Sequence, residues 1–272
     1  MVKMFQVDET FCVHHGYYER GIRTHAQSVL NMNDVVGRLL SLEEKAEHGG
    51  HILDAGCGIG GTIVHLAKRY PSLSWTGITV IPEHVEMARQ LSHSQGVSHV
   101  TEFLVQDFMH TEFPSDHFDA VYLLESACYA QDKDVLSREL HRILKPGGML
   151  VLIDAFLTDA TRSRFVEKAL TWFCGGWGLP GLISMDECVS LLDAQGFREI
   201  CSKDLSKNVT RSILHGDLLS IPYLFSVVHK KVTLRKKYRV EDDENFFGVL
   251  PLVTTILGLT KAISYHAVTA LK

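Results

Sequence analysis

No CxxC pair occurs among the six cysteines, Cys12, Cys57, Cys128, Cys174, Cys188 and Cys201. That scatter argues against a zinc ribbon or a disulfide framework and suits a reducing cytosol, so a cytoplasmic protein is expected. The chain also lacks a basic excess: its net charge is -5 and its pI is near 6.3. Nucleic acid is thereby a poor partner, because phosphates demand a basic face. No apolar run is long enough to cross a bilayer; the longest near the C-terminus, Phe246 to Leu259, falls short of the roughly 20 residues required. The start, MVKMFQVDETFCVHH, has charge where a signal peptide would carry its apolar core, so it is not read as a secretory leader. Neither repeats nor low-complexity tracts appear. The histidines, His14, His15 and His25 among them, show no HxxxH or HxH spacing, and no metal site is expected. The basic run Lys230 to Lys237 is broken by Val232, Thr233 and Leu234 and reads as a solvated face.

What the chain does have is apolar residue enough, 46% over 272 positions, for one good core. Between residues 50 and 155 short apolar runs alternate with helical periods, the pattern of βαβ units building a parallel sheet. Strands are expected at His51 to Asp54, Ser74 to Val80, Thr101 to Gln106, Phe118 to Leu124 and Met149 to Asp154. Helices fall near Thr62 to Arg69, Pro82 to Gln95 and Asp134 to Leu144, the last stopped by Lys145-Pro146-Gly147-Gly148. Upstream, one helix is expected over Ser28 to Glu47; downstream, helices over Arg162 to Trp177 and Asp186 to Ala194, then strands near Glu199 to Asp204 and Ile263 to Ala270.

The segment from His51 through Asp54, Gly56, Cys57, Gly58, Gly60 and Gly61 is a strand ending in an acid, then a glycine-rich turn opening a helix. Glycine is needed where backbone turns tightly and a ligand lies directly on it. Gly56-x-Gly58-x-x-Gly61 also satisfies the dinucleotide fingerprint, but that reading wants an acid ending the second strand, which here ends Gly77-Ile78-Thr79-Val80. The third strand instead ends Gln106-Asp107-Phe108, a carboxylate and a ring suited to an adenine. Gly60 and Gly61 also fit simple helix packing, and Asp107 also fits a helix N-cap.

This ordered series resembles the class I S-adenosylmethionine-dependent methyltransferases, and within them the sterol and tocopherol methyltransferase-like branch, over roughly residues 15 to 205. The resemblance implies a Rossmann-like α/β fold, a mostly parallel seven-stranded sheet with helices on both faces. It implies an N-terminal lid and helix over 1–48, a catalytic domain over 49–272 and a helical substrate cap around 205–262. S-adenosylmethionine would then lie on Asp54, Gly56, Cys57 and Gly58, with Tyr17 at its methionine end. Thr79 and Val80 would contact ribose and adenine, Asp107 and Phe108 would hold the adenine, and Leu124 would line the site.

Residues following the fourth strand face the ligand in such sheets. Here they are Glu125-Ser126-Ala127-Cys128-Tyr129-Ala130, similar to the Glu-x-x-Cys-His-Ala segment of sterol C-methyltransferases with Tyr129 in the histidine's position. Glu125 and Tyr129 are the catalytic candidates: a carboxylate there could stabilise positive charge on an attacked alkene and take its proton, or orient an amine or hydroxyl. Glu125 bonding only the lid, and Tyr129 merely lining the pocket, remain alternatives. Phe5, Phe11, Tyr17 and Tyr18 in front, with Trp172, Phe173 and Trp177 behind, form aromatic clusters. Tyr18, Trp172, Phe173 and Trp177 are the substrate-contact candidates, with core packing as the other reading of Trp172 and Phe173. The expected activity is methyl transfer to a small lipophilic molecule, preferably to carbon of an isoprenoid or sterol-like alkene. Transfer to nitrogen or oxygen of an aromatic natural product is its rival, and a nonenzymatic adenosyl-binding module or a dehydrogenase the alternative of another class. A prenyl diphosphate would need cations, for which Arg20, Arg23, Arg162, Arg164 and Arg211 are available without a legible motif.

Overall fold

The computed structural model describes residues 10–159, 163–234 and 246–272. Phe5 and Arg162, singled out above, lie outside the described residues, as does the C-terminal part of the Lys230 to Lys237 run. Seven strands, β1 (His51–Ala55), β2 (Ser74–Thr79), β3 (Thr101–Val105), β4 (Phe118–Leu124), β5 (Leu144–Leu157), β6 (Arg198–Asp204) and β7 (Ile263–Leu271), form one sheet in the order β3-β2-β1-β4-β5-β7-β6. β7 alone runs against its neighbours; the others are parallel in sense, giving the mostly parallel sheet expected.

Helices α1 (His25–Leu39), α2 (Leu42–His48), α3 (Gly61–Arg69) and α4 (Pro82–Ser94) belong to one face, and α5 (Lys133–Ile143) and α7 (Met185–Ala194) to the other. Between these two groups α6 (Arg164–Trp177) follows β5, while α8 (Ser206–Leu234) and α9 (Leu250–Leu259) intervene between β6 and β7. Strand alternation divides the core in two. Ala120, Tyr122 and Leu124 of β4 pack with Met32, Val36 and Ile63, whereas Val121 and Leu123 pack with Leu136, Leu140 and Leu192. Both faces are covered, which is why these strands read as unbroken apolar runs.

Two elements differ from the sequence reading. The single helix expected over 28–47 is two, with Ser41 left-handed at φ 52 between them. Leu40 and Leu42 are both fully buried, yet a continuous helix would set them about 200° apart, so the break lets both reach the core. The expected turn at Lys145 to Gly148 lies inside β5: Phe118 pairs with Leu144 and Ala120 with Met149, and the intervening residues loop out of the ladder.

Candidate active site

The strand order reverses between β1 and β4: β2 and β3 build outward on one side, β5 onward on the other. Open α/β sheets bind ligands at this switch point, at the carboxyl ends of the strands. Here it brings together the turn after β1 and the segment after β4.

The β1 turn needs its glycines. Gly56 has φ 105, and a Cβ there would stand 2.7 Å from Ser126 Oγ, whose hydroxyl donates to the Ala55 carbonyl at 2.7 Å. The backbone N–H groups of Gly56 and Cys57 both donate to Ile78 O at 2.9 Å, tying the turn to β2. A Cβ on Gly60 would meet Ala88 and Phe103, and one on Gly61 the Phe11 carbonyl and Cys12 Sγ. These two glycines therefore serve packing, of β3 and α4 in one case and of the N-terminal segment in the other. At Gly58 nothing lies within 4 Å of a built Cβ, so the cradle is open on that side and fits a ligand laid along its backbone.

Asp54 is buried on β1 directly across from Tyr122 of β4, whose hydroxyl donates to Asp54 Oδ2 at 2.8 Å. Burial pushes the carboxyl up to about 7, against the pull of the Tyr122 bond and of His14. A carboxylate held in that state gains most from a cationic ligand group. His14 comes from the N-terminal segment and is half-buried. Its Nδ1 lies 3.1 Å from the His15 carbonyl and its Nε2 2.9 Å from Asn33 Oδ1, which also accepts from Thr62 Oγ1 at 3.0 Å. Both ring nitrogens face acceptors, so the imidazolium is the form that satisfies them. Burial alone would lower its pKa, but Cys12, Glu125 and the His15 carbonyl outweigh that and raise it to about 9.

Glu125, first residue past β4, has φ 54, a left-handed conformation uncommon for a non-glycine residue. Its N–H still donates to Ile153 O at 2.8 Å. One carboxylate oxygen, Oε1, accepts from His15 N at 2.7 Å and from the buried Tyr265 hydroxyl of β7 at 2.6 Å. Neither bond engages Oε2, which leaves that oxygen for a ligand. Tyr129 ends the 3₁₀ turn Ala127–Tyr129, partly exposed, with its phenol pKa raised by burial first and then by Cys128, Glu125 and Asp154. Beneath this turn Asp154 accepts from Cys128 N at 2.9 Å and Ala155 N at 2.8 Å; burial raises it to about 6. It borders a cavity of about 40 Å3 walled by Leu152, Cys188 and Leu192.

The N-terminal segment is clamped over this centre from two sides. Tyr17 N donates to Ser28 O, and Asn31 Nδ2 to Tyr17 O; Gly16 N donates to Ser212 Oγ, and Tyr18 and Asn208 exchange backbone and side-chain bonds. The Tyr17 ring is buried in the core beside β4, and Tyr18 lies under the Arg211 guanidinium, 4.6 Å away. At the end of β2 Thr79 Oγ1 accepts from Ile81 N, while Val80 is exposed. Asp107 Oδ1 accepts from Met109 N at 2.9 Å, closing a local turn; no helix follows over 108–113, so it is not the helix N-cap of its alternative reading. Phe108 approaches Gly56, and Leu124 closes the sheet behind. Trp172, Phe173 and Trp177 do not share a wall with Tyr18: Phe173 is buried against Val253 and Leu257, and Trp172 and Trp177 pack on Val227, Val249 and Leu250. They are the interior of the α6, α8 and α9 group. Among the described residues no set of three or more metal-ligating side chains converges.

Residues 53–152 match the methyltransferase domain family. Over that stretch the chain is similar to methyltransferase domains. It is 33% identical over 175 residues to cycloartenol-C-24-methyltransferase 1 of Oryza sativa subsp. japonica, covering 62% of this chain and 49% of that one. It is 27% identical over 210 residues to the chloroplastic tocopherol O-methyltransferase of Arabidopsis thaliana, covering 72% and 60%. The cyclopropane synthase MmaA2 from Mycobacterium tuberculosis shares the fold at a TM-score of 0.79 and 16% identity, covering 100% of this chain and 94% of that one. This chain thus spans about half the length of the curated relatives it matches. Around this switch point the sequence reading had named Asp54, the glycines and Glu125. It had not named Tyr122, His14 as a cation, Asn33, Tyr265 or Asp154. Only Tyr122 had a signal: a polar tip within an apolar strand adjacent to the one that ends in Asp54.

Proposed function

We propose that the protein transfers the methyl group of S-adenosylmethionine to a small lipophilic acceptor, with carbon of an isoprenoid or sterol-like alkene as its target. The observation that carries this reading is the pairing, at one switch point, of an open glycine cradle beside a ligand-seeking carboxylate with a pinned carboxylate at the end of β4. S-adenosylmethionine would be held by Asp54, Gly56, Cys57 and Gly58, with Thr79, Val80, Asp107 and Phe108 around its nucleoside. When bound it supplies an activated methyl.

The chain's own task is positioning and charge control. Methyl transfer needs little acid-base help, so holding the acceptor in line is most of the catalysis. Glu125 answers the positive charge that develops on an attacked alkene: Oε1 is fixed by two donors, and Oε2 stabilises that charge and accepts the proton released. The N-terminal segment clamped by α1 and α8 excludes water from that carboxylate. Likeness to the cycloartenol enzyme favours carbon as acceptor; likeness to the tocopherol enzyme supports oxygen as the second reading.

Titration with S-adenosylhomocysteine and with NAD tests the cofactor, and binding of NAD alone would overturn the proposal. Methyl-labelled cofactor offered with sterols, prenyl diphosphates, phenols and amines tests the acceptor. A product labelled on carbon is expected; label confined to oxygen or nitrogen would replace the carbon reading with its rival.

A further inference from the structure

The turn after β4 is held from beneath as well as by the N-terminal segment. It closes on itself through Tyr129 N to Ser126 O at 3.1 Å and Ala130 N to Ala127 O at 3.2 Å, and Asp154 takes the Cys128 N–H at 2.9 Å. The carbonyls of Cys128 and Ala130 both accept from Lys133 Nζ, at 3.0 and 2.5 Å. One ammonium and one carboxylate thus grip the same short stretch of backbone, the first by its carbonyls and the second by an amide.

Neither residue sits where its own element favours it. Lys133 is the first residue of α5, where the helix dipole disfavours a cation and where Asp132 already caps the helix by accepting from Asp134 N and Val135 N. Asp154 falls in the same alternating register of β5 as Leu150, Leu152 and Phe156, all buried in the core shared with α5 and α7. A buried carboxylate in such a layer persists only where hydrogen bonds hold it. What the two share is the turn, and both line the cavity beneath it. Burial lowers the Lys133 pKa, and nearby acidic groups, Asp154 among them, oppose that. The turn begins directly after Glu125, whose left-handed φ of 54 persists only where its surroundings fix it. We propose that Lys133 and Asp154 are positioning residues: from the α5 and α7 side of the sheet they fix the turn over 126–130, and through it the placing of Glu125 and Tyr129 toward the acceptor. The kinetic part of this rests on the methyl-transfer reading, and the structural part does not.

Amide hydrogen exchange and acceptor kinetics of the full chain test the two parts separately. In Lys133→Met, exchange of the amides at 128–130 should quicken about tenfold, with β1 and the Asp54 to Gly61 turn unchanged. Counted per site that binds S-adenosylhomocysteine, kcat should fall about 10- to 100-fold, because the reacting groups are displaced while the cofactor cradle is not. Affinity for S-adenosylhomocysteine should stay as in the wild type. Lys133→Arg keeps a cationic donor and should recover most of the rate; Lys133→Gln takes the place of Lys133→Met should the latter fail to fold. A merely structural role would reduce the number of binding sites and leave their kcat alone, so an unchanged kcat per site overturns the proposal. Exchange at 128–130 equal to that of the wild type overturns it as well. A wild type that methylates no acceptor would sink the methyl-transfer reading instead, and exchange would then decide the proposal by itself.

Discussion

Replacing Asp54 by Asn should make the ligand-free protein more stable while weakening its hold on the cofactor. The buried carboxyl titrates near 7 instead of 3.8. A raised carboxyl pKa means that the folded state keeps the proton more tightly than the unfolded chain. The stability this confers is fully present below about pH 4 and is lost as pH rises through about 7, a loss of about 4 kcal/mol at most. An amide does not titrate, and its oxygen can still accept from Tyr122, so the variant forfeits only the surplus strength of a charged acceptor, about 1 kcal/mol. The expected net gain above pH 7 is therefore about 2–3 kcal/mol, or roughly 5–10 °C in Tm for a chain this size. Below about pH 4 the two proteins should coincide. Meanwhile S-adenosylhomocysteine should bind the variant about 10- to 100-fold more weakly, since a charge-assisted hydrogen bond is lost. Thermal unfolding from pH 4 to 8, with a titration at pH 8, checks both halves. A variant no more stable than the wild type at pH 8, with ligand affinity intact, would refute the view of Asp54 as a carboxylate kept under stress for a cation.

Other expectations follow the same network. His14, raised to about 9 from 6.5, contributes stability below pH 6.5 that is lost as pH rises through 9; His14→Gln should flatten the Tm profile between those values. Glu125→Gln should lower kcat by about 10²-fold or more while S-adenosylhomocysteine affinity moves little, as the proposed role toward the acceptor requires. Tyr265→Phe removes one of the two donors to Glu125 Oε1 and should lower kcat about tenfold; an alkaline-shifted pH profile, with unchanged cofactor KM, would separate this positioning role from a loss of fold. Gly61→Ala places a methyl against the Phe11 carbonyl and should loosen the N-terminal segment, read as faster proteolysis ahead of residue 20 with the sheet intact.

The parts of this site that the sequence makes legible are local, and the parts it hides are made by distant strands. Asp54 through Gly61 is one continuous turn whose backbone demands are written in its glycines, and Glu125 follows directly from where an apolar strand stops. Trp172 and Phe173 show the limit of such reading: aromatic residues at helical spacing look alike whether they wall a pocket or fill a helix interface, and here they fill one between α6, α8 and α9. Tyr265 shows the opposite failure. It is 140 residues from Glu125, inside a strand that reads as ordinary core, and becomes significant only because β7 inserts antiparallel beside β5 and sets its hydroxyl at the end of β4. His14 depends on the same closure, since its second proton is stabilised by Asn33 of α1 and a carbonyl of its own segment. Its charge comes to lie near Asp54 and Glu125 only once segments far apart in sequence have met. The Glu125 carboxylate is therefore readable from its strand, while the bonds that fix its orientation belong to the topology.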